Sequence, residues 1–268
     1  MSAVLAEIVS LVRRRVSQTR SVVNWRDLER RARQHNPRGF RRTVESKAQE
    51  GVAVIAELKK ASPSRGLIRA AFHPGELAAE LAEAGAAALS VLTEEEFFQG
   101  SLENLSVASG ASPLPCLRKD FVVDEFQILE ARAYGADAVL LIVAALSPGE
   151  LARLLRQTQE LELDALCEVH DENELMCAID VGCNLVGVNS RDLRSFEVDL
   201  NTALQLGRLI PKSLVSVAES GIRSAGQITQ LRAEGYQGFL IGESLMKAER
   251  PGEALGRLLA EAGTTVSL

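Results

Sequence analysis

Four stretches of the sequence repeat one pattern, in which a helix end, a glycine and an apolar strand follow one another: EAGAAALSVL (83–92), AYGADAVLLI (133–142), DVGCNLVGVN (180–189) and AEGYQGFLIG (233–242). Each glycine suits the left-handed backbone position that ends a helix. The glycines lie about fifty residues apart, which is close to two strand–helix units of an eight-fold barrel. The repeat therefore predicts alternating helices and buried strands.

Eight apolar segments, four of them within these repeats, recur along the chain: 52–58, 86–92, 113–119, 136–142, 164–169, 184–189, 214–220 and 238–243. Each is apolar almost throughout, as is typical of parallel strands that are buried on both faces. Helix caps stand between them, with Ser147 ahead of Pro148 and with Asp171 and Ser224 ahead of later helices. No GxGxxG motif follows the first segment, which disfavours a doubly wound sheet. The pattern therefore predicts a (β/α)8 barrel.

The length of 268 residues suits one such barrel, and we expect a single domain over residues 1–268. Residues 1–50 precede the first strand, so we expect them to form a helical N-terminal extension. Apolar residues at helical spacing predict an amphipathic helix that packs against the barrel: Val4, Leu5, Ile8, Leu11, Val12 and Val16.

The composition excludes several classes of function. The net charge of −6 argues against a nucleic-acid partner, because binding the phosphate backbone needs a basic surface. No stretch approaches the ~18 uninterrupted apolar residues of a membrane span, and no secretory signal begins the chain. We therefore expect a cytoplasmic protein. Four cysteines without CxxC spacing disfavour a metal site or a disulfide framework: Cys116, Cys167, Cys177 and Cys183.

Charged residues mark the carboxyl ends of the odd-numbered predicted strands. Glu57 and Lys59 end the first, Lys119 the third, Glu168 the fifth and Glu219 the seventh. In a barrel, alternate strands contribute the side chains of one interior layer, so these groups can converge at one end. Acids and amines that are buried together shift one another's pKa values, as acid–base chemistry near neutral pH requires. The layer therefore predicts an active site.

Glycines follow the last two predicted strands, in ESGI (219–222) and IGES (241–244). In this fold, these two loops commonly hold a phosphate group. Glycine permits close approach of the backbone, whose N–H groups can donate to the anion. We therefore expect phosphate on the backbone of Ser220, Gly221, Gly242 and Glu243, with Lys59 nearby.

At residues 55–66 the sequence reads IAELKKASPSRG, which resembles the signature of the indole-3-glycerol phosphate synthase family. Further motifs of that family follow in order along the chain: LSVLT (89–93), FFQGS (97–101), LRKDF (117–121), GVNSRDL (187–193), AESGI (218–222) and LIGESLM (240–246). The resemblance covers the whole predicted barrel. It implies a decarboxylating lyase of tryptophan biosynthesis that needs no metal or organic cofactor.

The resemblance implies a substrate, 1-(2-carboxyphenylamino)-1-deoxyribulose 5-phosphate, whose aromatic carbon attacks the ketone before carbon dioxide and water leave. It also implies the role of each catalytic residue. Lys119 resembles the general acid of ring closure, and Glu168 resembles the base of dehydration. The remaining roles are a second catalytic lysine, Lys59, its charge-balancing partner, Glu57, and two residues that position hydroxyl groups, Asn189 and Glu219.

Substrate-binding residues are expected around this layer. Ser62 and Arg191 are candidates for the substrate carboxylate, and Pro63, Phe121 and Leu193 are candidates for an apolar pocket around the ring. We expect neighbouring cations to lower the pKa of Lys119 and so to improve proton donation, with Glu57 opposing that shift. The long loop over residues 60–71 predicts a mobile lid. Two departures from the family pattern are His73 before Pro74 and Glu243, where some members have serine.

Two alternatives stay open at this point. Another phosphate-binding barrel enzyme, such as phosphoribosylanthranilate isomerase, would need an acid–base pair of Cys and Asp type at the strand ends. A non-catalytic barrel would bind a partner through its N-terminal helix, but it would have no reason to keep the charged strand ends. We expect a monomer that binds a phosphorylated small molecule, and at most weak association with other tryptophan-pathway enzymes.

Overall fold

The computed structural model describes residues 3–192, 195 and 197–264. Eight parallel strands close into a barrel in which each strand pairs with the next and β8 pairs with β1. This confirms the predicted (β/α)8 fold. The strands are β1 (Ala53–Leu58), β2 (Ala88–Leu92), β3 (Cys116–Lys119), β4 (Ala138–Ile142), β5 (Asp164–Val169), β6 (Leu185–Asn189), β7 (Val215–Glu219) and β8 (Gly238–Ile241).

Three helices precede the barrel: α1 (Ala3–Val22), α2 (Trp25–Gln34) and α3 (Phe40–Glu50). The others follow the strands: α4 (Pro74–Glu83), α5 (Leu102–Ala111), α6 (Glu125–Ala133), α7 (Pro148–Glu160), α8 (Glu172–Asp180), α9 (Leu200–Gly207), α10 (Ala225–Ala233), α11 (Glu243–Lys247) and α12 (Pro251–Thr264). A short antiparallel pair, Ala61–Ser62 with Gly66–Leu67, lies in the loop after β1. Within the described ranges, no helix is both long enough and apolar enough to span a membrane.

The predicted helix ends are present. Ser147 forms a capping box with Glu150 at the start of α7, and the Ser224 side chain accepts a hydrogen bond from the Gln227 N–H at α10. The four repeat glycines have positive φ angles of 85° to 99°, so each adopts the left-handed conformation expected at a helix end. Local chemistry therefore sets where these helices begin and where the helices ahead of β2, β4, β6 and β8 end.

The apolar side chains form two layers. The larger layer lies between the strands and the outer helices, and the smaller one fills the barrel interior. Helix α1 joins the interior layer through Leu5, Ile8, Val12 and Val16, which are all buried. Phe40 and Val44 of α3 belong to the same layer, and Val44 lies against Gly238 at the start of β8. The N-terminal segment therefore contacts the interior layer through both α1 and α3.

A buried ion pair attaches the segment between α2 and α3 to the amino-terminal ends of the strands. The Arg38 side chain donates to both carboxylate oxygens of Asp137, which is fully buried ahead of β4. Asp137 also accepts hydrogen bonds from the backbone N–H groups of Arg38 and Cys116, and it lies 3.2 Å from His35 Nε2. The Arg38 side chain reaches two carbonyl oxygens ahead of β3 as well.

We predict that Asp137→Asn lowers the free energy of unfolding by about 3 kcal/mol, because loss of one buried partner leaves the other charge uncompensated. Urea unfolding followed by circular dichroism measures the change. Glu29→Gln is the matched control, since Glu29 pairs with Arg33 on the exposed face of α2 and should cost at most about 1 kcal/mol. Equal losses in the two variants would contradict the assignment.

Candidate active site

A cavity of about 470 Å³ opens at the carboxyl ends of the strands. All six residues predicted to be catalytic line it: Glu57, Lys59, Lys119, Glu168, Asn189 and Glu219. The structure therefore brings the charged strand ends together at one site, as the alternating layer predicts. Whether they act as catalysts stays a prediction.

Lys119 is the centre of this charge layer. Its Nζ atom donates a hydrogen bond of 2.7 Å to Glu168 Oε2 and a second one to Glu219 Oε2. Both carboxylates are almost fully buried, at 3% and 2% side-chain exposure. Next to them, Lys59 Nζ forms an ion pair with Glu57 Oε1. The layer thus holds two lysines and three carboxylates in a space largely closed to water.

Two glycines make room for the carboxylates. A Cβ atom on Gly187 of β6 would collide with Glu219 Oε1, and one on Gly242 after β8 would collide with Glu57 Oε1. Gly187 pairs with Glu168 on one side and with Val217 on the other. Sequence reasoning gave Gly187 no role, because its neighbour on the next strand depends on the strand register.

The pKa of Lys119 corrects one expectation. Burial opposes its charge, but the carboxylates of Glu168, Glu219 and Glu57 together raise the pKa above its ordinary value. The expectation that neighbouring cations lower it is wrong, since the closest charged groups are anions. Lys119 is therefore an ammonium ion throughout the neutral range.

The two carboxylates on Lys119 differ in their pKa. Burial opposes ionisation of Glu168, but Lys119 and His170 lower its pKa well below the usual range. Burial raises the pKa of Glu219 to about 7, with Lys119 opposing that shift and Glu168 adding to it. One carboxylate is therefore ionised at neutral pH while the other is close to its midpoint, a separation typical of acid–base sites.

A second network of hydrogen bonds holds the residues on either side of Lys119 in the sequence. Arg118 and Asp120 flank Lys119 in sequence, and the Arg118 guanidinium donates to Asp120 Oδ2 at 3.0 Å. Thr93 Oγ1 lies 2.6 Å from the same oxygen, and Glu130 accepts from Arg118 at 2.9 Å. Thr93, Arg118 and Asp120 are buried, so their contacts fix the end of β3 that carries Lys119.

The loops after β7 and β8 line the cavity together with the cations Arg65, Arg191 and Lys247. Ser220 and Gly221 both have positive φ, at 64° and 80°. The four residues predicted to bind phosphate all line the cavity: Ser220, Gly221, Gly242 and Glu243. The sequence predicts a role only for the backbone of Glu243. In the structure its side chain also forms ion pairs, with Lys247 at 2.6 Å, Arg65 at 3.3 Å and Arg191 at 3.8 Å.

The predicted ring and carboxylate contacts also surround the cavity. Ser62, Pro63, Phe121 and Arg191 line it, and Phe98 lies with its ring centroid 6.5 Å from that of Phe121. The fifth predicted residue, Leu193, lies outside the described residues. Within those residues, no group of three or more His, Cys, Asp or Glu side chains could hold a metal ion.

Several lining residues were missed by the sequence analysis. Leu5 and Ile8 of α1 reach the cavity, as do Glu94 and Arg65. The helical periodicity of α1 shows that its apolar face is buried, but not that it is buried at the cavity. Arg65 falls within a quoted motif without a role, and only its ion pair with Glu243 assigns one.

Comparison with known proteins identifies relatives along nearly the whole chain. The family model for indole-3-glycerol phosphate synthase matches residues 5–258. An indole-3-glycerol phosphate synthase of Koribacter versatilis is 53% identical over 259 residues, covering 97% of this chain and 100% of that protein. One from Bordetella pertussis is 46% identical over 262 residues, with 97% and 100% coverage. A crystal structure of 3-hexulose-6-phosphate synthase, 17% identical, matches the fold with a TM-score of 0.62 over 78% of this chain and 99% of that one.

We predict that Lys119→Met is destabilised in a pH-dependent way. Because folding lowers the pKa of Glu168, its ionised carboxylate stabilises the native chain at pH values above the pKa that it has in the unfolded chain. That stability is lost as the pH falls through the lowered pKa. Without the ammonium, burial raises the pKa of the carboxylates instead. The loss should then be about 3 kcal/mol at pH 8 and should shrink toward pH 5, where the carboxylates bind protons.

Urea unfolding at both pH values measures this difference. Lys47→Met is the control, because Lys47 pairs with Glu50 on an exposed face and should show little change at either pH. A loss of the same size at pH 5 and pH 8 would contradict the role of Lys119 in ionising its neighbours.

Proposed function

The chain belongs to the indole-3-glycerol phosphate synthase family and catalyses the decarboxylating ring closure of tryptophan biosynthesis, and we propose that the Lys119 cluster carries out this reaction. The substrate is 1-(2-carboxyphenylamino)-1-deoxyribulose 5-phosphate and the product is indole-3-glycerol phosphate. The observation that carries the proposal is the buried contact of Lys119 with Glu168 and Glu219 inside the cavity.

The cavity offers a distinct region for each end of this substrate. Phe98, Phe121, Leu5 and Ile8 provide apolar surface for the aromatic ring. We assign the ring carboxylate to Ser62 and Arg191. The phosphate then lies on the backbone of Ser220, Gly221, Gly242 and Glu243, close to Lys59.

In the first step, the ring carbon that bears the carboxylate attacks the ketone carbon, and Lys119 gives a proton to the ketone oxygen. Its raised pKa makes it a weak acid, so much of its effect must be electrostatic. An ammonium ion that is only 12% exposed and is held by two carboxylates stabilises the negative charge that develops on that oxygen. Holding the ring against the ketone contributes further, because orientation removes an entropic cost.

The later steps use the two carboxylates. Once the bond to carbon dioxide breaks, a hydroxyl group remains. It takes up a proton, which Glu219 with its pKa of about 7 can supply, and leaves as water. Glu168 is ionised at neutral pH and accepts the proton that is lost as the indole forms. Glu219 Oε1 is buried without a hydrogen-bond partner among the described atoms, so it is suited to holding a substrate hydroxyl. Asn189 pairs with Glu219 across neighbouring strands and also lines the cavity. The Lys59–Glu57 ion pair lines the cavity as well.

The isomerase alternative finds less support. It would need a cysteine base at a strand end, whereas no cysteine is among the described residues that line the cavity. Two lysines between carboxylates exceed what an isomerase requires. The appearance of indole fluorescence from the carboxyphenylamino substrate distinguishes the two reactions.

We propose further that residues 1–268 act in the cytoplasm as one monomeric domain, with at most weak association with other tryptophan-pathway enzymes. The apolar face of α1 supports this assignment, because the barrel of the same chain already covers it. Light scattering on the purified protein tests the monomer.

We predict that Lys119→Ala lowers kcat by about 10²- to 10⁴-fold, the range that general acid–base groups contribute. Fluorescence of the indole product and release of carbon dioxide measure the loss. Lys47→Ala, far from the cavity, should keep native turnover. Near-native kcat in Lys119→Ala would contradict the assignment of the general acid.

We predict that Glu243→Gln binds inorganic phosphate about fivefold more tightly, because two unit charges ~4 Å apart in water interact by ~1 kcal/mol. The native carboxylate competes for Arg65 and Arg191 and repels a dianion. Isothermal titration with phosphate measures the change, and Glu253→Gln, on α12, is the control. Weaker or unchanged binding would contradict this placement of the phosphate.

A further inference from the structure

His170 is a partly buried titratable residue that the proposed reaction leaves without a role. It follows β5 directly, two positions after Glu168, and its side chain is 14% exposed. It is not among the residues that line the cavity, so it does not touch a substrate bound there. Its contacts are with Glu168, a member of the catalytic layer, and with Glu174 of α8.

Both ring nitrogens of His170 face carboxylates. Nδ1 lies 3.0 Å from Glu174 Oε2, in the first turn of α8, and the His170 backbone N–H donates to the same oxygen at 2.8 Å. Nε2 lies 3.4 Å from Glu168 Oε1. The Nδ1 contact with Glu174 is a hydrogen bond, whereas the Nε2 contact with Glu168 is an ion pair without hydrogen-bond geometry. Two negative charges beside one ring stabilise its doubly protonated, cationic form. This arrangement favours the imidazolium form.

The Glu168 carboxylate is therefore held from two sides. Lys119 contacts its Oε2 atom and His170 contacts its Oε1 atom. Glu219, at the end of β7, shares Lys119 with Glu168 as a hydrogen-bond donor. Glu57 is a third carboxylate of the same layer. Although burial opposes it, Glu168 and Glu174 raise the pKa of His170 to about 10. The His170 imidazolium and the Lys119 ammonium both favour the ionised form of Glu168, whereas Glu219 and Glu57 oppose it.

We propose that His170 is a positioning residue: its imidazolium, anchored by Glu174, holds the Glu168 carboxylate ionised and oriented for the dehydration step. This inference rests on the proposed function only for the identity of that step. The contact itself concerns the protonation state of Glu168 and exists without substrate. Glu174 acts on Glu168 only through His170, because its carboxylate fixes the imidazole ring and favours the second proton on that ring.

The test is the pH dependence of kcat in His170→Asn and Glu174→Gln. Loss of a cation within ~4 Å of a carboxylate raises its pKa by about one unit or more. The acid limb of the kcat profile that reports protonation of Glu168 lies at lower pH than the Glu219 midpoint of about 7. This limb should move up by about one pH unit in His170→Asn and by less in Glu174→Gln, while KM stays near the native value. Glu172→Gln is the matched control, because Glu172 is exposed in the same helix turn.

A carbon-13 NMR titration of the Glu168 carboxyl, assigned with Glu168→Gln, gives a readout that needs no turnover. An upward shift of the Glu168 titration midpoint in the His170 variant supports the inference. This holds even if the native chain fails to turn over the proposed substrate. If His170 only caps α8, the melting temperature falls while both the acid limb and the midpoint stay native, which overturns the inference. Should His170→Asn not fold, the same measurements on Glu174→Gln decide, and a native profile there overturns it.

Discussion

The ammonium group of Lys119 is buried between Glu168 and Glu219, and the rest of the active layer is arranged around this contact. Burying one of these charges without the others would be very costly, so the barrel must bring three strand ends together with matching register. Gly187 and Gly242 provide the space that the carboxylates require. Arg118 and Asp120 then fix the strand end that carries the lysine.

The N-terminal helices complete the barrel in two ways. Helix α1 places Leu5 and Ile8 at the cavity, and three ion pairs hold it to loops and helices beyond the strands: Arg13–Glu150, Arg15–Glu94 and Arg20–Asp124. The Arg38–Asp137 pair attaches the connection between α2 and α3 to the amino-terminal ends. One segment thus contributes both to the stability of the barrel and to the wall of the site.

Much of this structure follows from the sequence, because the determining forces are local or periodic. Apolar runs and cap residues locate the strands and helices, and the left-handed glycines mark where strands begin. The alternation of barrel strands also predicts that Glu57, Lys119, Glu168 and Glu219 meet. Which charges become direct neighbours depends on register and side-chain direction. For that reason the pKa shift of Lys119 was predicted with the wrong sign, and the Glu243 ion pairs were not foreseen.

The most direct measurement is the titration of the Lys119 side chain itself, by NMR of protein with isotope-labelled lysine, assigned with Lys119→Met. An exposed lysine side chain ordinarily loses its proton near pH 10.4. Because three carboxylates raise its pKa, Lys119 should keep its proton at pH values at which exposed lysines have lost theirs. Deprotonation of Lys119 at or below the pH at which the exposed lysines titrate would contradict the buried cluster as the basis of the site.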